Sequence, residues 1–255
     1  MDSGLFDLSG RVALVTGSSQ GIGFALAQGM ASHGARVILN GRDKDRLKQA
    51  SDRLTKAGLP CASIAFDVTD AAGVAGAVAY CEDEVGPLDI LVNNAGMQYR
   101  APLEDFPPEK FEQIMRTNVT SVFLVGQAVA KRMIGRKSGK IINICSVMSA
   151  LARPSIAPYT ASKGAIANLT KGMATDWAKY GININGIAPG YFKTELNSGL
   201  IADKDFTAWL EKRTPMGRWG ELEELVGAAV FLASKASSFV NGHILYVDGG
   251  ITTSV

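Results

Sequence analysis

The segment Val12–Ala27, VALVTGSSQGIGFALA, passes from a β-branched apolar run through three glycines into a helical pattern. The run Val12–Thr16 predicts a buried strand, and the apolar residues after Gly23 predict a helix packed on it. Between them, Gly17, Gly21 and Gly23 free the backbone for a tight turn. Amide groups at a helix N-terminus, reinforced by the helix dipole, receive an anion such as a pyrophosphate. The spacing differs from the GxGxxG dinucleotide fingerprint. The same letters, Gly17-Ser18-Ser19-Gln20-Gly21, also fit the GxSxG turn that presents a nucleophilic serine, which makes Ser19 an alternative catalytic residue. A serine nucleophile of that kind needs an acid and a histidine, and the chain offers only His33, at the end of the same helix, and His243.

Six further strand-like runs follow, at Arg36–Asn40, Ala62–Val68, Asp89–Asn93, Lys140–Cys145, Ile182–Ala188 and His243–Val247. Helical patterns separate most of them, with Gly34 and Gly58 as C-caps, Thr69-Asp70 as an N-cap and Pro108 opening a turn. Such alternation implies a parallel sheet covered on both faces. The expected fold class is therefore α/β: a single-domain Rossmann-type doubly wound sheet of about seven strands flanked by helices, spanning residues 1–255, with no repeat or linker to divide it. TGSSQGIG, NGR, DVTD, NNAG, CSVMS and APGYFKT follow strands one to six in turn. In open α/β sheets, ligands bind outside the carboxyl ends of the strands.

Composition narrows the partners. A net charge of +2 with 20% charged residues gives no nucleic-acid footprint, so small molecules are the expected ligands. The N-terminal stretch MDSGLFDLSGRVALVTG lacks a basic start before a long apolar run, and no segment approaches the ~18 apolar residues of a membrane span. Cys61, Cys81 and Cys145 are odd in number and far apart, which excludes a CxxC pair and suits a reducing compartment. A soluble cytoplasmic protein with no metal site is expected.

The stretch Ala157–Leu169, APYTASKGAIANL, places Tyr159 and Lys163 four residues apart, hence on one helix face. A phenol titrates near ~10, so a tyrosine that exchanges protons near neutrality needs a shift of roughly 3 units. One nearby cation supplies ~1–3 units. Lys163 thus predicts a lowered Tyr159, with an oxidised nicotinamide adding the remainder. Ser146, ending the fifth strand, is placed to donate to a substrate oxygen, and Asn118, in the helical segment MRTNVTSVF, to orient a water that extends a proton path from Lys163.

Taken in order, TGxxxGIG at Thr16–Gly23, Asp67-Val68, NNAG at Asn93–Gly96, Asn118, Ser146, Tyr159-x-x-x-Lys163, Asn185, Pro189-Gly190 and the closing VDGG resemble the short-chain dehydrogenase/reductase family over essentially the whole chain. The resemblance implies that Asn118, Ser146, Tyr159 and Lys163 form the catalytic set, with Tyr159 the general acid in reduction and Lys163 also a ribose ligand. It implies a cofactor held by Gly17, Ser19, Gln20, Gly21, Ile22 and Gly23, by Asp67 and Val68 at the adenine, and by Asn94, Ala95 and Gly96 beside the ribose. Pro189, Gly190, Phe192 and Thr194 would meet the carboxamide. At the end of the second strand the acid expected in an NAD enzyme is replaced by Asn40-Gly41-Arg42, so NADP (NADPH) is the expected cofactor, with Arg42 on its 2′-phosphate.

NICSVMSALARPSIAPYTASKGA, INGIAPGYFKTEL, FTAWLEKRTPMGRW and SSFVNGHILYVDGG are similar to the bacterial gluconate 5-dehydrogenases, a branch of that family. The implied substrate is a sugar acid, interconverted between hydroxy and keto forms. Arg100 and Arg153 are candidates to grip its carboxylate through charge-assisted hydrogen bonds. Ser146, Met148 and Tyr159 would complete the substrate site. Glutamate is common in that branch where this chain has Ala150, which touches polyol or metal recognition. Tyr191–Trp219 is long enough to serve as a substrate lid. A homotetramer is implied by the resemblance alone. Alternatives are a reductase of another carbohydrate or of 3-oxoacyl thioesters, and a cofactor-binding protein without turnover.

Overall fold

A computed structural model describes residues 4–254; the first three residues of the N-terminal stretch lie outside it. Seven strands, β1 (Val12–Val15), β2 (Arg36–Gly41), β3 (Cys61–Ala65), β4 (Leu88–Asn93), β5 (Gly139–Ile144), β6 (Ile182–Pro189) and β7 (Ile244–Val247), form one sheet in the order β3-β2-β1-β4-β5-β6-β7. Every pairing is parallel. Because successive side chains alternate across a strand, β1 sends Ala13 and Val15 to one core and Val12 and Leu14 to the other.

The first core is covered by α1 (Gly21–Ser32), α2 (Lys44–Lys56) and α9 (Val226–Ala233). The second lies under α3 (Ala71–Tyr80), α5 (Ser121–Arg136) and α6 (Ala157–Trp177). Gly34 and Gly58 follow the ends of α1 and α2 with φ of +97° and +72°, which a Cβ would oppose. Asp70 caps α3, and Pro108 is the first residue of α4 (Pro108–Met115). No described helix is long and apolar enough to cross a membrane.

Three expected strands are shorter than their pattern, β1 by the single residue Thr16. β7 begins at Ile244, and β3 ends at Ala65 although the pattern runs to Val68. Beyond β3, Asp67 turns the chain by accepting from Thr69 N (2.8 Å) and Thr69 Oγ1 (2.8 Å). A short polar side chain bonding to the backbone two residues on competes with the sheet ladder. That turn aims Asp67 toward the end of the sheet where the motifs gather.

Candidate active site

The carboxyl ends of the strands open into one cavity of about 990 Å³. All the site residues expected from the sequence line it except Asn118, which is fully buried behind the wall. α1 starts at the cavity with no side-chain cap and no acidic residue in its first turn, so its leading amides remain available to an anion. Gly17 adopts φ +61°, and a Cβ there would stand 2.9 Å from Ala95 Cα; one on Gly23 would stand 2.4 Å from Asn94 Nδ2. The glycines thus let β1 and β4 close around a shared loop. Ser19 has no histidine to activate it: His33 Nδ1 pairs with Gly29 O (2.8 Å) at the end of α1, His243 precedes the amino end of β7, and neither lines the cavity.

Several side chains hold this loop from behind. Thr16 Oγ1 accepts from Asn94 N (3.0 Å) and Ala95 N (3.1 Å), while Asn94 Nδ2 donates to Thr16 O (3.0 Å) and Gly17 O (2.9 Å). Asn40, 1% exposed, accepts from Gly17 N through Oδ1 (3.2 Å) and donates to Phe66 O through Nδ2 (3.1 Å). Both amides therefore shape the cradle, leaving little for direct contact with a ligand. The Asn40 side chain also organises the loop from its place on the cavity wall.

Two residues on, Arg42 is 78% exposed and lies 3.8 Å from Asp67. Burial acts to raise the Asp67 carboxyl, but the Thr69 hydrogen bonds and the charges of Arg42 and Arg116 outweigh it and hold the group below its ordinary range. Arg46 Nη1 donates to Gln20 Oε1 (3.1 Å), and Arg46 and Arg116 join Arg42 on the cavity wall. Neither was legible from the motifs, although Arg46 stands one helical turn beyond Arg42.

Ser146 lies two residues beyond β5 and caps a short 3-10 turn at Val147–Ser149, accepting Met148 N (3.1 Å). α6 then carries Tyr159 in its first turn and Lys163 in its second. Lys163 Nζ donates to Ile144 O (2.7 Å) and stands 5.7 Å from the centre of the Tyr159 ring. Burial lowers Lys163 to about 8. Burial also raises the Tyr159 phenol; Ser146 and Arg100 pull it down and Cys145 pushes it up, with the net shift upward. The expectation of a phenol lowered by Lys163 is thus corrected. The ammonium points at a carbonyl, its own charge is weakened by burial, and desolvation wins.

Asn118 sits in a π turn, Arg116–Thr120, between α4 and α5. Its Oδ1 accepts Met97 N (2.8 Å), and its Nδ2 donates to Met97 O (3.0 Å) and Ser162 Oγ (3.0 Å). Ser162 Oγ donates in turn to Tyr159 O (2.7 Å). The side chain therefore ties the NNAG loop to α6. Both amide protons being taken, the water contact expected of Asn118 falls to acceptor atoms.

Arg100 and Arg153 reach the cavity that holds Tyr159 from different loops, near enough to influence one another electrostatically. Ala101 N donates to Ser155 O (3.2 Å), and Ser155 holds φ +66°, a strained value outside glycine. Desolvation lowers the Arg100 pKa and neighbouring Arg153 lowers it further. Among the described residues, neither guanidinium has a carboxylate partner. Met148 and Tyr191 complete this wall. Ala150, by contrast, is exposed and off the cavity.

Residues 17–252 match the family model described as Enoyl-(Acyl carrier protein) reductase. The chain is 61% identical to the gluconate 5-dehydrogenase of Gluconobacter oxydans (strain 621H) over 98% of each chain. It is 51% identical to the 5-keto-D-gluconate 5-reductase of Escherichia coli (strain K12), over 98% of this chain and 99% of that one. The crystal structure of a gluconate 5-dehydrogenase from Burkholderia cenocepacia J2315, in complex with NADP and tartrate, superimposes with a TM-score of 0.96 at 55% identity over 98% of both chains. Sheet order, glycine cradle and the Tyr159–Lys163 helix agree with full-length similarity at this level, and the chain belongs to the short-chain dehydrogenase/reductase family.

Proposed function

We propose that this chain is an NADP-dependent oxidoreductase that interconverts D-gluconate and 5-keto-D-gluconate. The observation that carries the substrate class is the pair Arg100 and Arg153, two uncompensated cations on the wall that also holds Tyr159 and Ser146. A carboxylate supplies the charge they lack. The relatives named above, one of them bound to NADP and the hydroxy acid tartrate, support the same reading.

The residues present fit the dinucleotide. The uncapped start of α1 and the Gly17–Gly23 cradle would hold its pyrophosphate, Asp67 and Val68 its adenine, and Ala95, Gly96 and Lys163 the nicotinamide ribose. Pro189, Gly190, Phe192 and Thr194 would meet the carboxamide. When bound, the nicotinamide gives a hydride in reduction and takes one in oxidation. In reduction the Tyr159 hydroxyl gives its proton to the keto oxygen, to which Ser146 Oγ donates a hydrogen bond. The raised phenol stays protonated for that task through neutral pH. Lys163 steadies the phenolate left behind, and Asn118 fixes α6 against the NNAG loop. Tyr191–Trp219, carrying α7 (Ser198–Ala202) and α8 (Lys204–Arg213), closes over the substrate as a lid. The enzyme works in the cytoplasm as a homotetramer, in which contacts between subunits would cover exposed Phe111 and Phe123 on α4 and α5.

Two measurements test the reading. Replacing whichever arginine grips the carboxylate, Arg100→Ala or Arg153→Ala, should raise KM for 5-keto-D-gluconate about ten- to a hundredfold, the loss of one charge-assisted hydrogen bond, while NADPH affinity holds. In a panel with 2-ketogluconate, a neutral ketose and an acetoacetyl thioester, equal use of the ketose removes the arginine clamp, and preference for the thioester replaces the sugar-acid assignment.

Cofactor choice is tested separately. Arg42→Ala should cut the preference for NADPH over NADH about ten- to a hundredfold. Arg46 and Arg116 remain on the wall to keep part of it. Equal catalytic efficiency with both cofactors, in wild type and variant alike, refutes the assignment of Arg42.

A further inference from the structure

Tyr191 lies two residues beyond the end of β6, at the start of the lid segment, and no motif gives it a substrate role. Its ring is fixed on two sides: edge-on to the buried Trp219, with centroids 5.9 Å apart at 89°, and tilted against Phe206 at 5.6 Å and 59°. Phe206 in turn lies under the Arg153 guanidinium, 5.1 Å from its ring centre. The lid helix α8, which carries Phe206, therefore holds both Tyr191 and one of the two uncompensated arginines. Tyr191 lines the cavity, and among the described residues its hydroxyl has no hydrogen-bond partner.

The neighbours of that hydroxyl define its place. Burial raises the Tyr191 phenol, Arg153 and Arg100 pull it down, and Tyr159 pushes it up, so it lies within electrostatic reach of all three. It remains an O–H donor at neutral pH. Tyr191 thus shares one cavity with the group assigned to the reacting carbonyl and with the pair assigned to the carboxylate. A substrate that reaches both has its inner carbons in the cavity that Tyr191 lines.

We propose that the Tyr191 hydroxyl hydrogen-bonds a substrate hydroxyl on the carbons between the carboxylate and the reacting carbonyl, selecting polyhydroxylated sugar acids over deoxygenated acids of equal length. The assignment rests on the sugar-acid reading above. A partnerless polar group facing a ligand rejects an analogue that lacks the matching hydroxyl more sharply than an apolar wall rejects a misfit. Its rigid aromatic mounting gives the hydroxyl a fixed position from which to discriminate.

Tyr191→Phe keeps both ring contacts and removes only the donor. The probe is 5-oxohexanoate, which has the carboxylate, the keto group and the chain length of 5-keto-D-gluconate but no hydroxyls, used as a competitive inhibitor. In the variant, KM for 5-keto-D-gluconate should rise about tenfold while the inhibition constant of 5-oxohexanoate and NADPH affinity stay at their wild-type values. If both constants are unchanged, Tyr191 only packs the lid; if both rise together, it acts through the arginines or Tyr159. Either result overturns the assignment. A wild-type enzyme inactive on 5-keto-D-gluconate overturns the sugar-acid reading with it, whereas an active wild type with a silent Tyr191→Phe removes the Tyr191 assignment alone.

Discussion

Tyr159→Phe should lower kcat about 10²–10⁴-fold, the usual worth of a positioned general acid, while NADPH binds almost as before. The substitution removes one hydroxyl and keeps the ring beside Lys163, so α6 and its contacts persist. Steady-state kinetics in both directions, with cofactor fluorescence titration as the control, separates chemistry from binding. Retention of more than about a tenth of wild-type activity would show that another group delivers the proton. The raised phenol sharpens the expectation: desolvation strengthens its hold on the proton, so turnover depends on neighbours that stabilise the phenolate once the substrate is in place.

Lys163→Met should separate function from stability. Activity should fall by at least about 10²-fold, since the cation beside the phenol and the ribose ligand go together. The cofactor-free protein should nevertheless melt higher. Below pH 8 both folded and unfolded states carry the lysine charge, and the folded state bears the full cost of burying it. Between about 8 and the ordinary 10.5 the folded state releases the proton first, so stability gained with rising pH erases the cost. The shift corresponds to about 3 kcal/mol, and each kcal/mol moves the melting temperature of a chain this size by about 2–4 °C. The variant should therefore gain several degrees at pH 7, an advantage that closes as pH passes 10.5. A lower melting temperature at pH 7 would mean that the Lys163–Ile144 hydrogen bond contributes more than the desolvation costs.

The strand–helix rhythm made the sheet readable, because buried parallel strands must be apolar on both faces and glycines must end the helices. What failed locally was β3: Phe66–Val68 look like strand, yet Asp67 offers its own turn. The site was legible wherever a motif lies at a strand end. It was not legible where the job depends on which way a side chain faces. Asn40 and Arg42 are near neighbours with opposite fates, one sealed under Gly17, the other 78% exposed beside Asp67. The contacts of Thr16, Ser162, Arg46 and Tyr191 were not legible because their partners are far away in sequence or belong to the lid. The direction of the Tyr159 shift was misread for a related reason: helical spacing gives proximity to Lys163 but says nothing of the Ile144 carbonyl that takes up the ammonium, nor of the water excluded from both.

The seam between β1 and β4 has a kinetic consequence. Thr16 Oγ1 receives Asn94 N from 78 residues down the chain, and Thr16 N reaches Val92 O from 76 residues down. Contacts this distant carry the closure entropy of a long loop. The glycine loop has its floor only where the fourth strand is docked beside it. A nucleotide can recognise only the assembled sheet, so its binding energy acts as a brake on unfolding and not as a template for folding.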